Sequence, residues 1–359
     1  MSSLTIAIIV AFVIGYFFIA IESVTKINKA AIALLMFVVC WTLFMIDPTG
    51  LVTSLAGVDH SEVAGKVGKI IEEHLGETGT TLFFLMGAMT IVELVDQNGG
   101  FNFVKDKKDR IIYASLVIIA ANSGGAFSPI GDVTTIMLWN KGVITAAGVI
   151  TEILIPSLIS MVIPAYILSL SLKGELVAPT SKKASGGEDD YLTASQRKII
   201  FCLGVGGLIF VPIFKTITHL PPFMGILLVL GVLWTVTETM YRHLEHDDSD
   251  GMQKRVSRML TRIDMSTILF FLGILMAVGC LQTIGVLAQL GEGLNIWFDG
   301  NHYIVTGIIG VLSSIVDNVP LVAGCMGMYP VQAAGDMAID GVFWQLLAYC
   351  AGVGGSMLI

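Results

Sequence analysis

The chain of 359 residues is 55% hydrophobic and only 13% charged, with a mean hydropathy of +0.83. A water-soluble domain carries about 25% charged residues, so a soluble globular fold is excluded, and the net charge of -8 points to no particular partner. The apolar residues are gathered in runs long enough to cross, as helices, the roughly 30 Å hydrocarbon core of a bilayer, which predicts an all-α polytopic membrane protein.

In chain order, apolar spans are predicted at residues 4–21, 30–46, 78–95, 111–139 and 144–172, then at 198–214, 223–241, 265–287, 303–331 and 342–359. The first lacks a basic leader and a small-residue cleavage site, so it reads as a helix rather than a signal peptide. Residues 61–75 are amphipathic, with Val63, Val67, Ile70 and Ile71 on one side, and are expected to lie along the membrane interface. Polar segments at 173–197 and 242–262 read as solvated linkers. The chain thus divides into a first transmembrane half (1–172), a cytoplasmic linker (173–197) and a second transmembrane half (198–359).

Loops 22–29, 105–110, 173–198 and 242–262 hold sixteen of the 20 basic residues, and 287–359 holds none. The positive-inside rule makes the basic loops cytoplasmic. For the loops at 288–302 and 332–341 both to be external, residues 303–331 must enter and leave on one side. Pro320 disfavours continuous helix there, so a re-entrant hairpin with its tip at Asp317-Asn318 is expected, giving nine spans and one hairpin.

The word Glu77-Thr-Gly-Thr-Thr-Leu-Phe-Phe-Leu recurs as Asp264-Met-Ser-Thr-Ile-Leu-Phe-Phe-Leu, an offset of 187 residues, and Ala121-Asn-Ser-Gly-Gly recurs as Ala351-Gly-Val-Gly-Gly, an offset of 230. The first copies enter the membrane from the opposite side to the second, the pattern of an inverted-topology repeat with discontinuous helices. The offsets differ by 43 residues. The first half, with only 101–110 in that place, is therefore expected to lack a hairpin that the second half has, and the chain to stop short of a C-terminal helix.

Residues 122–135, Asn-Ser-Gly-Gly-Ala-Phe-Ser-Pro-Ile-Gly-Asp-Val-Thr-Thr, interrupt a long apolar run. Glycines and Pro129 free backbone carbonyls, and Asn122, Ser123, Ser128, Asp132, Thr134 and Thr135 add side-chain oxygens. Irregular backbone at membrane depth occurs only where it is buried in protein or lines a cavity, and oxygen ligands of this kind suit a hard cation. Asp317-Asn318, with Ser313 and Ser314 a turn earlier, is the expected second wall, and Gly354-Gly355-Ser356 the counterpart of the first break. Glu93 and Asp96 share a helix face and, with Glu152 and Glu238, are candidates for a proton relay. The six histidines read as loop residues. Cys40, Cys202, Cys280, Cys325 and Cys350 read as buried small hydrophobes. No Walker sequence, dinucleotide fingerprint or metalloprotease helix occurs, so no cofactor, no ATP-driven pumping, no enzymatic activity and no nucleic-acid partner is expected. A membrane hydrolase using Ser128 or Ser356 with Asp132 would lack a histidine base.

Residues 82–96, 121–139 and 314–323, which contain Leu82-Phe-Phe-Leu-Met-Gly-Ala-Met, Asn122-Ser-Gly-Gly-Ala-Phe-Ser-Pro-Ile-Gly-Asp and Val316-Asp-Asn-Val-Pro, resemble NhaD-type sodium/proton antiporters of the ion transporter superfamily. The resemblance implies exchange of Na+ or Li+ for H+ across a bacterial inner membrane or its organellar equivalent. It also implies that Asn122, Asp132, Thr134, Thr135, Ser313, Asp317, Asn318 and Ser356 form the ion pathway, with Glu93 a further candidate. Such proteins carry another Asp-Asn-Leu-Thr-Thr hairpin after the third span and helices beyond the second Gly-Gly word, neither of which is found here. Asp132 and Asp317 are then expected to face one cavity, each holding either a proton or a share of a Na+ ion, in a protein that pairs as a homodimer. The alternatives are an anion carrier of the same superfamily, disfavoured because the site residues include acids but no Arg or Lys, and a shortened chain that transports nothing.

Overall fold

The computed structural model describes residues 2–52, 55, 60–97, 110–170, 193–242, 260 and 263–357. Among them run fifteen helices: α1 Ser3–Ala20, α2 Glu22–Thr25, α3 Lys29–Phe44, α4 Pro48–Leu51, α5 His60–Gln97, α6 Arg110–Phe127, α7 Val133–Lys141, α8 Ala146–Ser169, α9 Ala194–Thr218, α10 Pro222–Arg242, α11 Met265–Thr283, α12 Val286–Trp297, α13 His302–Ser313, α14 Asn318–Met328 and α15 Val342–Gly354. Six of these, α1, α5, α8, α9, α10 and α11, are long and apolar enough to cross a bilayer. Their outward faces carry bare hydrophobic side chains, such as Ile155, Ile159 and Ile163 on α8 and Ile209, Ile213 and Ile217 on α9. Rows of this kind are tolerable only against lipid. The chain is an all-α, multi-pass membrane protein.

Local chemistry sets the helix starts. Ser2 accepts from the Thr5 N–H and Asn28 from the Ala30 N–H, while Asp47 accepts from Gly50 with Pro48 at the first helical position. Thr193 and Gln196 form a capping box at α9. Each supplies an acceptor for backbone donors that have no partner within the helix.

Four expectations are corrected. The amphipathic stretch 61–75 and the span 78–95 are one uninterrupted helix of 38 residues. Nothing in Gly76-Glu-Thr-Gly breaks a helix, and at 1.5 Å per residue such a helix reaches about 57 Å, well past the hydrocarbon core. His74 therefore lies inside α5 and not in a loop. Its Nε2 is 3.0 Å from the Thr283 hydroxyl, and its ring meets that of Trp41. The span predicted at 265–287 ends at Thr283, because Gly285 adopts a left-handed φ of 75° and starts the separate helix α12. Of the cysteines, Cys40, Cys280 and Cys325 are buried, but Cys202 is exposed on the outer side of α9.

The helices form two compact units, each drawing on both sides of the 173–197 linker: residues 1–82, 118–161 and 265–359, and residues 83–117 and 162–264. In the first unit α11 is the central element, buried almost continuously from Phe270 to Leu281. It packs along α3, where a Cβ on Gly273 would lie 2.5 Å from the Ala33 carbonyl carbon. Trp41 Nε1 of α3 donates to the Met276 carbonyl at 2.9 Å. Beside this pair, α14 packs on α11 and α12, α13 packs on α15, and α7 touches both α14 and α15.

In the second unit α9 and α10 pair, and glycines again set the approach. Gly207 faces Val229, Gly225 faces Phe214, and Gly87 of α5 faces Ile226.

Candidate functional site: an oxygen-lined junction of two broken helices

The apolar run predicted at 111–139 is broken where its glycines and Pro129 indicated. The α6 helix ends at Phe127, the chain turns through 128–132, and α7 begins at Val133. The turn is closed by Ser128 N–H to Gly125 O and Gly131 N–H to Ser128 O, both at 3.2 Å. It is too tight for side chains, since a Cβ on Gly131 would sit 2.6 Å from the Gly125 Cα.

The turn delivers Asp132 to the N-terminus of α7. Thr135 locks its backbone: the Thr135 hydroxyl donates to the Asp132 carbonyl at 2.8 Å and lies 3.3 Å from the Asp132 N–H. Asp132 Oδ2 accepts from the Thr134 hydroxyl at 2.6 Å and from Asn318 Nδ2 at 3.0 Å. Thr134 and Thr135 are fully buried.

The second break is also where the sequence indicated. The α13 helix ends at Ser313 and α14 starts at Asn318, with Asp317 Oδ1 accepting from the Val319 N–H at 3.1 Å. The third wall is the end of α15. Ser313 donates to the Ala351 carbonyl at 2.7 Å, with Asn318 Nδ2 3.5 Å from the same oxygen, and Asn122 Nδ2 donates to Ser356 Oγ at 2.7 Å. Glycines permit this closeness. A Cβ on Gly354 would lie 2.3 Å from the Gly310 carbonyl oxygen, and one on Gly352 would lie 3.2 Å from the Ala126 Cβ of α6.

Of the predicted residues, Asn122 and Ser356 form a pair of their own just past the end of α15, while Asp132, Thr134, Thr135 and Asn318, with Ser313 joined through the shared Ala351 carbonyl, form one hydrogen-bonded cluster inside the first unit. Asp317 adjoins it through Asn318. Ser123 is engaged elsewhere, its hydroxyl 3.1 Å from that of Ser160 on α8. Glu152 is exposed on α8. Glu93, Asp96 and Glu238 belong to the second unit, where Glu93 is half-buried and the other two are exposed.

Two contributors were not foreseen. The expectation of a site without basic side chains is corrected by Lys29, the first residue of α3, whose Nζ lies 3.4 Å from Asp317 Oδ2 and 4.2 Å from the centroid of the Phe270 ring. A pairing between residues 288 apart leaves no trace in periodicity or spacing. Asp340, at a left-handed φ of 59°, accepts from the Thr145 N–H and hydroxyl, both at 2.6 Å, and from Gln345 Nε2 at 3.2 Å. It pins the corner between α7 and α8 to the start of α15, and with it two walls of the site.

The cluster offers one carboxylate amid neutral hydroxyl, amide and carbonyl oxygens. A hard monovalent cation or a proton matches that set. The N-termini of α7 and α14 are already occupied by the carboxylates of Asp132 and Asp317, which satisfy the positive ends of those helices.

A family model described as citrate transporter (CitMHS) matches residues 104–354. Sodium/proton antiporter 1 of Arabidopsis thaliana is 35% identical over 398 aligned positions, which take in 99% of this chain and 65% of the relative. Sodium/proton antiporter 2 of the same plant is also 35% identical, over 97% of this chain and 88% of the relative. The Na(+)/H(+) antiporter NhaD of Vibrio cholerae is 26% identical, over 99% of this chain and 83% of its own length. The alignment with antiporter 1 is longer than the 359 residues of this chain, so within the matched stretch that relative carries residues that this chain lacks. The expectation from the repeat offsets is a shortfall of 43 residues around 101–110. Residues 101–109 of the segment assigned to it lie outside the described residues.

Proposed function

Because the chain belongs to the citrate-transporter (CitMHS) family, among its NhaD-type sodium/proton antiporters, we propose that it exchanges Na+, or the smaller Li+, for H+ across the membrane. The observation that carries this is Asp132: a carboxylate held at the junction of two broken helices, with Thr134 and Asn318 on one oxygen and no positive partner of its own among the described residues. A desolvated carboxylate without a counter-ion favours taking up a cation, and a proton and a sodium ion are then exclusive occupants. Exclusive occupancy, combined with alternating exposure of the junction to the two sides, gives exchange without ATP. Asp317 is the second carboxylate of the pathway, and the basic loops face the cytoplasm of a cell or the equivalent side of an organelle.

A second reading, an anion carrier, is favoured by the description of the matching family model and by the two helix N-termini that converge on the site. Against it, both N-termini already hold a fixed carboxylate, so an incoming di- or tricarboxylate would meet like charge at close range. Proteoliposomes containing the full chain and a trapped pH dye decide between the two. A Na+ pulse that collapses an imposed proton gradient supports exchange, whereas uptake of labelled citrate with no Na+-driven proton movement supports the anion carrier. If neither is seen, this chain, shorter within the matched stretch than its plant relative, does not transport.

A further inference from the structure

A cation site built from acids and neutral oxygens has no need of a lysine, yet Lys29 reaches the carboxylate that adjoins it, Asp317. Resting on the cation-site reading above, we propose that Lys29 is a built-in competitor for Asp317: its ammonium holds this carboxylate while no ion is bound and must be displaced when sodium enters, so Lys29 sets the sodium affinity.

The geometry is that of a displaceable partner rather than a structural clasp. The contact is a single one at 3.4 Å, longer than the 2.7–2.9 Å of a tight charge-assisted hydrogen bond. The side chains of Lys29 and Asp317 are 32% and 23% exposed. A pair this open changes an equilibrium by a factor of about five or less, within reach of a competing ion. The ammonium has a second resting place at hand, the face of Phe270, whose centroid is 4.2 Å away.

Only the side chain need move. The Lys29 backbone is fixed, its N–H donating to Glu22 Oε1 at 3.1 Å, while the four-carbon stem is free to swing. Lys29 also stands at the first position of α3, where the positive end of the helix disfavours a cation, so the helix itself gives the ammonium no stabilisation in this place. The other carboxylate oxygen of Asp317 stays bound to the Val319 N–H, which keeps Oδ2 presented to whichever cation takes it.

The test is equilibrium binding of radiolabelled Na+ to the purified full chain at alkaline pH. Lys29→Gln, which removes the competitor, is expected to lower the Na+ Kd about two- to fivefold. Lys29→Arg, whose planar fork grips a carboxylate more firmly, is expected to raise it, with melting temperatures unchanged. A structural role would not move the two variants in opposite directions. Unchanged or raised Kd in Lys29→Gln, or an unchanged or lowered Kd in Lys29→Arg, overturns the proposal. If Lys29→Gln does not fold, Lys29→Arg decides alone. Asp132→Asn in the same assay separates the two levels. Sodium binding that needs Asp132 but ignores both Lys29 changes refutes the competitor and keeps the site. Binding indifferent to Asp132, or absent in the wild type, refutes the site and the competitor together.

Discussion

Asn318 Nδ2 donates to Asp132 Oδ2 at 3.0 Å, joining two residues 186 apart in the chain. An ionised carboxylate only accepts hydrogen bonds, so the amide nitrogen, not its oxygen, must face it. This contact makes one site out of two helix breaks, and it aims the Thr134 and Asn318 dipoles at the same oxygen. Removing it by Asn318→Leu, close in shape but without the donor, should weaken sodium affinity roughly ten- to a hundredfold, the range of a hydrogen bond to a charged group. The Na+ dependence of proton movement in proteoliposomes measures it.

The contact between α13 and α15 depends on glycine. Gly354→Ala would drive its Cβ into the Gly310 carbonyl at 2.3 Å, whereas a Cβ on Gly307, one turn away on α13, meets nothing within 4 Å. Gly354→Ala should cost about 1–3 kcal/mol, the range of overpacking, and Gly307→Ala should be neutral or slightly stabilising in a helix. Thermal denaturation in detergent distinguishes them.

Asp340, which holds two walls of the candidate site without lining it, predicts a stability effect. Asp340→Ala removes the acceptor for the Thr145 N–H and hydroxyl and places alanine at a φ of 59°. A loss of about 1–2 kcal/mol is expected, as for other lost helix caps. Asp340→Asn should lose less, because asparagine tolerates the left-handed conformation and keeps one acceptor. Melting temperatures of the two variants give the order.

The helix breaks were legible because they are local. Pro129 with its flanking glycines, and Pro320 after Asp317-Asn318, announce interruptions by chemistry that acts within a few residues. The polar residues gathered at those breaks were legible for the same reason, since oxygen-bearing side chains in an apolar run need partners or a ligand. What escaped was long-range or continuous. Lys29 counted as one more loop cation, and only the packing of α3 along α11 carries it toward Asp317. Asp340 falls within the loop expected at 332–341, and its bonds to Thr145 span 195 residues. The unbroken course of α5 was obscured by a change in polarity at 76–80, where the helix simply passes from a polar stretch into an apolar one.

The central claim is that the Asp132 site holds either a proton or a sodium ion. Sodium added to the purified full chain in weakly buffered solution should therefore release protons, detected by a pH indicator, and apparent Na+ affinity should fall as the pH is lowered. Asp132→Asn should abolish most of the release. Sodium binding without proton release, or release that survives Asp132→Asn undiminished, would contradict the account.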